Sequence, residues 1–156
     1  MKIYIAAPYA ARDDIRAGLL PYLEKSGHTV TSSWLQETKE LTAGALNAAK
    51  DHPDAEVHAQ AWRDLEDVDS AEVLVLLTSK WITQHYETPK AKTISGGRHI
   101  ETGYAIAKGR IIIVMGEVEN IFHRSHGKNL QTLADLNDHL LWLDSMFHPI
   151  DKGETE

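Results

Sequence analysis

The apolar residues of this chain fall into two patterns that alternate along its length. Residues 2–7 (KIYIAA), 72–78 (EVLVLLT) and 110–115 (RIIIVM) are short, nearly unbroken apolar runs. They lack the polar–apolar alternation of a half-exposed strand and predict strands buried on both faces, as in a parallel sheet. Residues 28–34 (HTVTSSW) are rich in β-formers and predict another strand. A short fifth strand is expected between 118 and 129. Elsewhere apolar residues recur at helical spacing. Ile15, Leu19, Leu20 and Leu23 predict a helix over 11–26, stopped by Gly27. Ala- and Leu-containing 41–50 predict a short helix ended before Pro53. Trp62, Leu65 and Val68 form the stripe of a helix over 54–70. Helices are also predicted over 98–108, with Gly109 at its end, and over 130–146 through Leu133, Leu136, Leu140, Leu141 and Leu143. Residues 79–97, with Pro89 and Gly96-Gly97, form a long polar segment of the kind that is either functional or disordered.

Alternating strands and helices predict a doubly wound α/β fold. The expected sheet is mostly parallel, with four or five strands flanked by helices. Such sheets bind ligands outside the carboxyl ends of their strands, so the segments after 7, 34, 78 and 115 are the places to look for a site.

Composition narrows the function. At 156 residues the chain is expected to form one domain over 1–150, with residues 151–156 as a frayed tail. The 42% apolar and 25% charged residues are ordinary for a soluble globular protein. The first residues, MKIYIAAPY, are too short for a signal peptide and read as a strand. No apolar run reaches the ~20 residues that span a bilayer, so no membrane partner is expected. The absence of cysteine excludes a disulfide scaffold, a thiolate metal site and a Cys nucleophile, and fits a reducing, cytoplasmic setting. A net charge of −7 argues against double-stranded nucleic acid as a partner. A small anion held at one helix N-terminus stays compatible with it.

The most informative stretch runs Ser95-Gly96-Gly97-Arg98-His99-Ile100-Glu101, followed by TGYAIAKG. The two glycines allow a tight turn and close approach to a ligand at the start of a helix. Glu101 is expected in the first helical turn, where the dipole and free N–H groups favour its ionised form. An ionised carboxylate aimed into a cleft can act as a nucleophile. A Glu in a first turn is also favourable with no function at all. The stretch is neither the dinucleotide pattern G-x-G-x-x-G nor a Walker loop. The second feature is Trp62-Arg63-Asp64-Leu65-Glu66-Asp67-Val68-Asp69. Carboxylates near a helix C-terminus cost ~0.3–1 kcal/mol each at exposed sites, so this acidic group is either a solvated face or serves a purpose.

These motifs, in this order, resemble the nucleoside 2-deoxyribosyltransferase-like superfamily. It comprises nucleoside deoxyribosyltransferases and 2′-deoxynucleoside 5′-monophosphate N-glycosidases. The resemblance covers residues 2 to about 124. It rests on Tyr4 in the first strand, Asp64-Leu65 before a hydrophobic strand, and the Gly-rich turn into E-x-G-x-A-x-x-x-G at 101–109. It implies a Rossmann- or flavodoxin-like fold, no metal and no cofactor. It also implies a small nucleoside or nucleotide substrate and a homodimer or higher homo-oligomer. By the same resemblance Glu101 matches the nucleophile, Asp64 the acid that handles the leaving base, and Tyr4 the tyrosine that positions nucleophile or sugar. Ser95 matches a position that is Asp in the transferases and Ser in the monophosphate hydrolases, which favours hydrolysis over transfer. Asn120 matches a residue lent to the neighbouring subunit's site. Where the hydrolases carry Ser and Arg as phosphate ligands, this chain has Pro8 and Ala10.

Further substrate contacts are expected from Tyr9, Trp34, Pro8, Gly96, Gly97, Arg98 and His99. Trp34 is placed to stack on a base, or to serve as a core Trp. Trp81 and Tyr86 are candidates for a lid. His123, His126, His139 and His148 match no familiar metal spacing and read as surface or structural histidines. No G-x-S-x-G elbow is present. The expected activity is N-glycoside cleavage through a covalent glycosyl-Glu intermediate. Its rivals are base exchange and a non-catalytic nucleotide-sensing module of the same fold. A third is ribonucleotide cleavage of the cytokinin-activating type, whose P-G-G-x-G-T-x-E turn sets the Glu one residue later.

Overall fold

A computed structural model describes residues 1–37, 54–87 and 96–149. The predicted strands and helices pack as a three-layer α/β structure. Five parallel strands, β1 (Lys2–Ala6), β2 (Thr29–Val30), β3 (Val73–Leu77), β4 (Ile111–Met115) and β5 (Gly127–Leu130), lie in the order β2-β1-β3-β4-β5. The register pairs Tyr4 with Leu74 and Leu74 with Ile112. Every residue of β3 is buried, as its unbroken apolar run requires. The helices are α1 (Arg12–Ala17), α2 (Leu19–Lys25), α3 (Asp54–Ser70), α4 (Ser79–His85), α5 (Gly97–Ala107), α6 (Ile121–His126) and α7 (Leu133–Phe147). From β1 the chain moves one way to β2, then back past β1 to β3, β4 and β5. That reversal opens a crevice at the carboxyl end of β1.

Several expectations change. The helix over 11–26 is two helices, broken at Gly18 (φ −122°, ψ −71°). The strand expected over 28–34 is only two residues long. After one more backbone bond, from the Thr31 N–H to the Ile3 carbonyl at 2.8 Å, side chains replace the ladder. The Ile5 N–H donates to Ser32 Oγ at 2.6 Å, and the Trp34 indole N–H donates to the Ile5 carbonyl at 3.0 Å. Residues 33–36 then turn as a short 3-10 helix. The polar segment 79–97 begins with α4, whose cap is the Thr78 hydroxyl accepting from the Trp81 N–H. The fifth strand exists, but as 127–130, directly after α6. Trp62 leaves its stripe: Val68 is buried, while Trp62 is 53% exposed. In α7, Leu136, Leu140 and Leu143 are buried and Leu141 is exposed. The helix expected over 41–50 and the tail 151–156 lie outside the described residues.

Candidate active site

Helices α3 and α5 pack side by side, and both touch β1. The packing carries Asp64, in the middle of α3, and Glu101, in the second turn of α5, towards Tyr4 of β1. Beside them opens a cavity of about 310 Å³, the lower end of the range for small-molecule sites. Among the described residues its floor holds Asp64, Glu101 and Gln60, and its walls include Ala7, Tyr9, Trp34, Glu37, Leu65 and Ile100. Ala7 follows β1, so the cavity stands at the carboxyl edge of the sheet.

The electrostatics follow from burial. Glu101 is partly buried, and its Oε2 is fully enclosed and makes no hydrogen bond. Burial first, and then the neighbouring charge of Asp64, push its pKa up to about 8; the Tyr4 hydroxyl opposes this. Asp64 is pushed up to about 6, chiefly by burial and against the hydrogen bond from the Gln60 amide at 3.0 Å. Tyr4 is fully buried. Burial, then the charges of Glu101 and Asp64, hold its hydroxyl well above the usual phenol range. Tyr4 Oη and Glu101 Oε2 lie within electrostatic reach of each other, but neither makes a hydrogen bond of ordinary geometry. The expected ionised Glu101 is therefore corrected. Helix α5 begins at Gly97, so Glu101 stands fifth in it, beyond the first turn, and desolvation outweighs the dipole.

No protein-family model and no curated protein matches the sequence. Solved structures do match. The 2-deoxyribosyltransferase of Bacillus psychrosaccharolyticus superposes with a TM-score of 0.58 at 18% identity, over 88% of this chain and 91% of that one. The chain has the nucleoside deoxyribosyltransferase fold. A CMP N-glycosidase of Clostridium botulinum matches with a TM-score of 0.49 at 19% identity, over 92% of this chain and 98% of that one.

Within the nucleoside deoxyribosyltransferase fold the sequence-predicted residues separate. Glu101, Asp64 and Tyr4 are brought together. Tyr9, Trp34, Gly97 and Arg98 line the same cavity. Trp34 is buried, its indole N–H held by Ile5, and its ring centroid lies 6.1 Å from that of Tyr9. Arg12 stacks over the Tyr9 ring at 4.8 Å and hydrogen-bonds to both the Tyr9 hydroxyl and the Glu37 carbonyl. Gly96 takes an ordinary helical conformation (φ −70°) as the cap of α5, so the tight glycine turn expected there is not formed by its backbone. The Arg98 guanidinium is buried, its Nη2 donating to Ser79 Oγ at 2.8 Å and Glu119 at 3.0 Å. His99 lies outside the cavity and stacks on His123 at 5.4 Å. Pro8 does not line the cavity either. Asn120 caps α6 through its carbonyl, which accepts from the N–H groups of Phe122 and His123, outside the cavity of its own chain. Ser95 lies outside the described residues.

The lid reading fails for Trp81, which is 2% exposed and stacked on His85 at 3.8 Å. Tyr86 is half-buried against the core, and burial pushes its pKa up to about 12. Two of the remaining acids have structural roles. Asp67 accepts from the Ser33 N–H and hydroxyl, while Asp69 accepts from the Tyr104 hydroxyl and pairs with Lys108. Sequence reasoning missed Gln60 and Glu37. Gln60 was findable, because it precedes Asp64 by one helical turn. Glu37 carries no local signal. It is placed by the 3-10 turn and by Arg12.

Proposed function

We propose that this protein is an enzyme that cleaves the bond between base and sugar in a nucleoside or nucleotide. The observation that supports it is the meeting of Glu101 and Asp64 in one cavity on the carboxyl edge of the sheet, with the Tyr4 hydroxyl buried behind them and within electrostatic reach of both. A Glu101 carboxylate oxygen attacks the anomeric carbon, and the carbon–nitrogen bond breaks with its electron pair going to the base. The base takes a proton from Asp64. Water then adds to the anomeric carbon of the glycosyl ester, giving its proton to Asp64 and releasing Glu101 as carboxylate. Double displacement through paired carboxyls is the logic of a retaining glycosidase. Tyr4 orients the Glu101 carboxyl. Hydrolysis is favoured over transfer because Ser95 stands where the resembled transferases carry Asp. The same reading includes a homo-oligomer, a cytoplasmic location and one catalytic domain over 1–150.

The carboxyl pair sets the pH dependence. With pKa values of about 6 for Asp64 and about 8 for Glu101, the pair holds one proton between those limits, resting mostly on Glu101, and the productive form is the minor one in which that proton has moved to Asp64. A bell-shaped kcat/KM is expected, with limbs near those values. The test is chromatography of ribo- and deoxynucleosides and their 5′-monophosphates after incubation, with and without a second free base. Free base from one class supports cleavage. A new nucleoside formed only with the second base makes the protein a transferase. No product from any class removes the proposal.

A further inference from the structure

Glu37 is a third carboxyl in the cavity, and no step of the proposed cleavage uses it. It is rigidly held. Its N–H donates to the Trp34 carbonyl at 3.2 Å, and its own carbonyl accepts from Arg12. Its Oε1 is buried without a hydrogen-bond partner. Burial and the charge of Asp64 act on it in the same direction, raising its pKa, and the charges of Arg63 and Arg12 and then the Gln60 side chain oppose them. Glu37, Gln60 and Asp64, the group assigned to the leaving base, line the same cavity. The two aromatic side chains of the same walls, Tyr9 and Trp34, provide flat apolar surface for a planar ring. A buried acceptor without a donor is unfavourable by about 1–3 kcal/mol, and because Glu37 also lines the cavity, a side-chain rotation would offer that oxygen to a ligand N–H.

We propose that Glu37 is the specificity-determining residue of this site, its buried carboxylate accepting from the exocyclic amino group of the substrate's base. This rests on the cleavage reading above and names its substrate class: nucleosides of amino-bearing bases in preference to those with an oxo group at the same position. A carboxylate accepts from an amino group and repels a carbonyl oxygen, so it selects by attraction and by repulsion together.

The test uses pairs that differ only in that group and in the protonation of the ring nitrogen beside it, deoxycytidine against deoxyuridine and deoxyadenosine against deoxyinosine, with wild-type protein and Glu37→Gln. Gln keeps the size and supplies a donor. The wild type is expected to prefer the amino member of at least one pair by about ten- to a hundredfold in kcat/KM. Glu37→Gln is expected to erase or invert that preference, with an unchanged thermal midpoint. Equal loss on both members of each pair, or no loss, overturns the assignment while cleavage stands. A second arm needs no turnover. Calorimetric titration of free cytosine and uracil into Glu101→Gln, with and without Glu37→Gln, is expected to show cytosine binding that weakens when Glu37 is replaced. Unchanged cytosine binding overturns the assignment whether or not the wild type cleaves anything.

Discussion

At Glu101 two effects oppose each other, and their sizes decide its charge. A helix N-terminus stabilises a carboxylate by ~0.3–1 kcal/mol within its first turn. Glu101 lies beyond that turn, at the wall of the cavity, where desolvation dominates and brings its pKa to about 8. Glu101→Gln is expected to abolish base release with the fold retained, checked by circular dichroism beside the chromatographic assay. Asp64→Asn is expected to lower kcat by about 10²–10⁴, the range of one general acid, and least for a base that leaves readily without a proton. The Glu101, Asp64 and Tyr4 constellation was legible in the sequence through the order of its motifs. The charge state was not, since it depends on how much protein surrounds the carboxyl. Glu37 was not legible either, because its position depends on Arg12 and on the turn after Trp34, contacts between segments that no periodicity encodes.

Among the elements, unbroken apolar runs proved the most informative feature. The runs at 2–7, 72–78 and 110–115 all became strands, because a strand covered on both faces has no polar side to blur the pattern. Edge elements were less legible. β-Formers at 28–34 gave only two strand residues, since Ser32 and Trp34 use their side chains, not their backbone, to pair with Ile5. The polar look of 79–85 hid α4, which buries Trp81 and Ile82, half-buries Ser79 and exposes the rest. Helix α4 also constrains the end of β4. Gly116 has φ +90°, and a Cβ there would meet Thr78 Oγ1 at 2.5 Å and Trp81 Cβ at 3.1 Å. Gly116→Ala therefore combines backbone strain with a clash against a capping hydroxyl that also donates to the Met115 carbonyl at 2.7 Å. It is expected to destabilise the fold by about 2 kcal/mol or more, read as a lower denaturant midpoint at unchanged slope.

For the whole molecule, the buried carboxyls link stability to pH. Glu101 titrates near 4.5 when unfolded and near 8 when folded, so the folded state binds the extra proton between those values. Stability from this group is complete below pH 4.5 and is lost as pH rises through 8, by on the order of 5 kcal/mol in all. Asp64 acts with the same sign at lower pH. Glu101→Gln, which has nothing to ionise, is expected to unfold at a higher temperature than wild type at pH 9, with the gap closing towards pH 5. A variant no more stable than wild type at pH 9 contradicts the buried, uncharged resting state. The opposite problem, self-association through backbone, is met at the two ends of the sheet. One end is β2, with two residues, and the other is β5, whose Lys128 and Asn129 are exposed. Parallel sheets assemble slowly through long-range contacts, and the partly folded chain exposes its strands meanwhile. Edges this short, and charged where they are longest, offer little template for a second chain. The three most apolar strands are interior to the sheet, so the segments most prone to fibrous stacking are also the first to be covered as it closes.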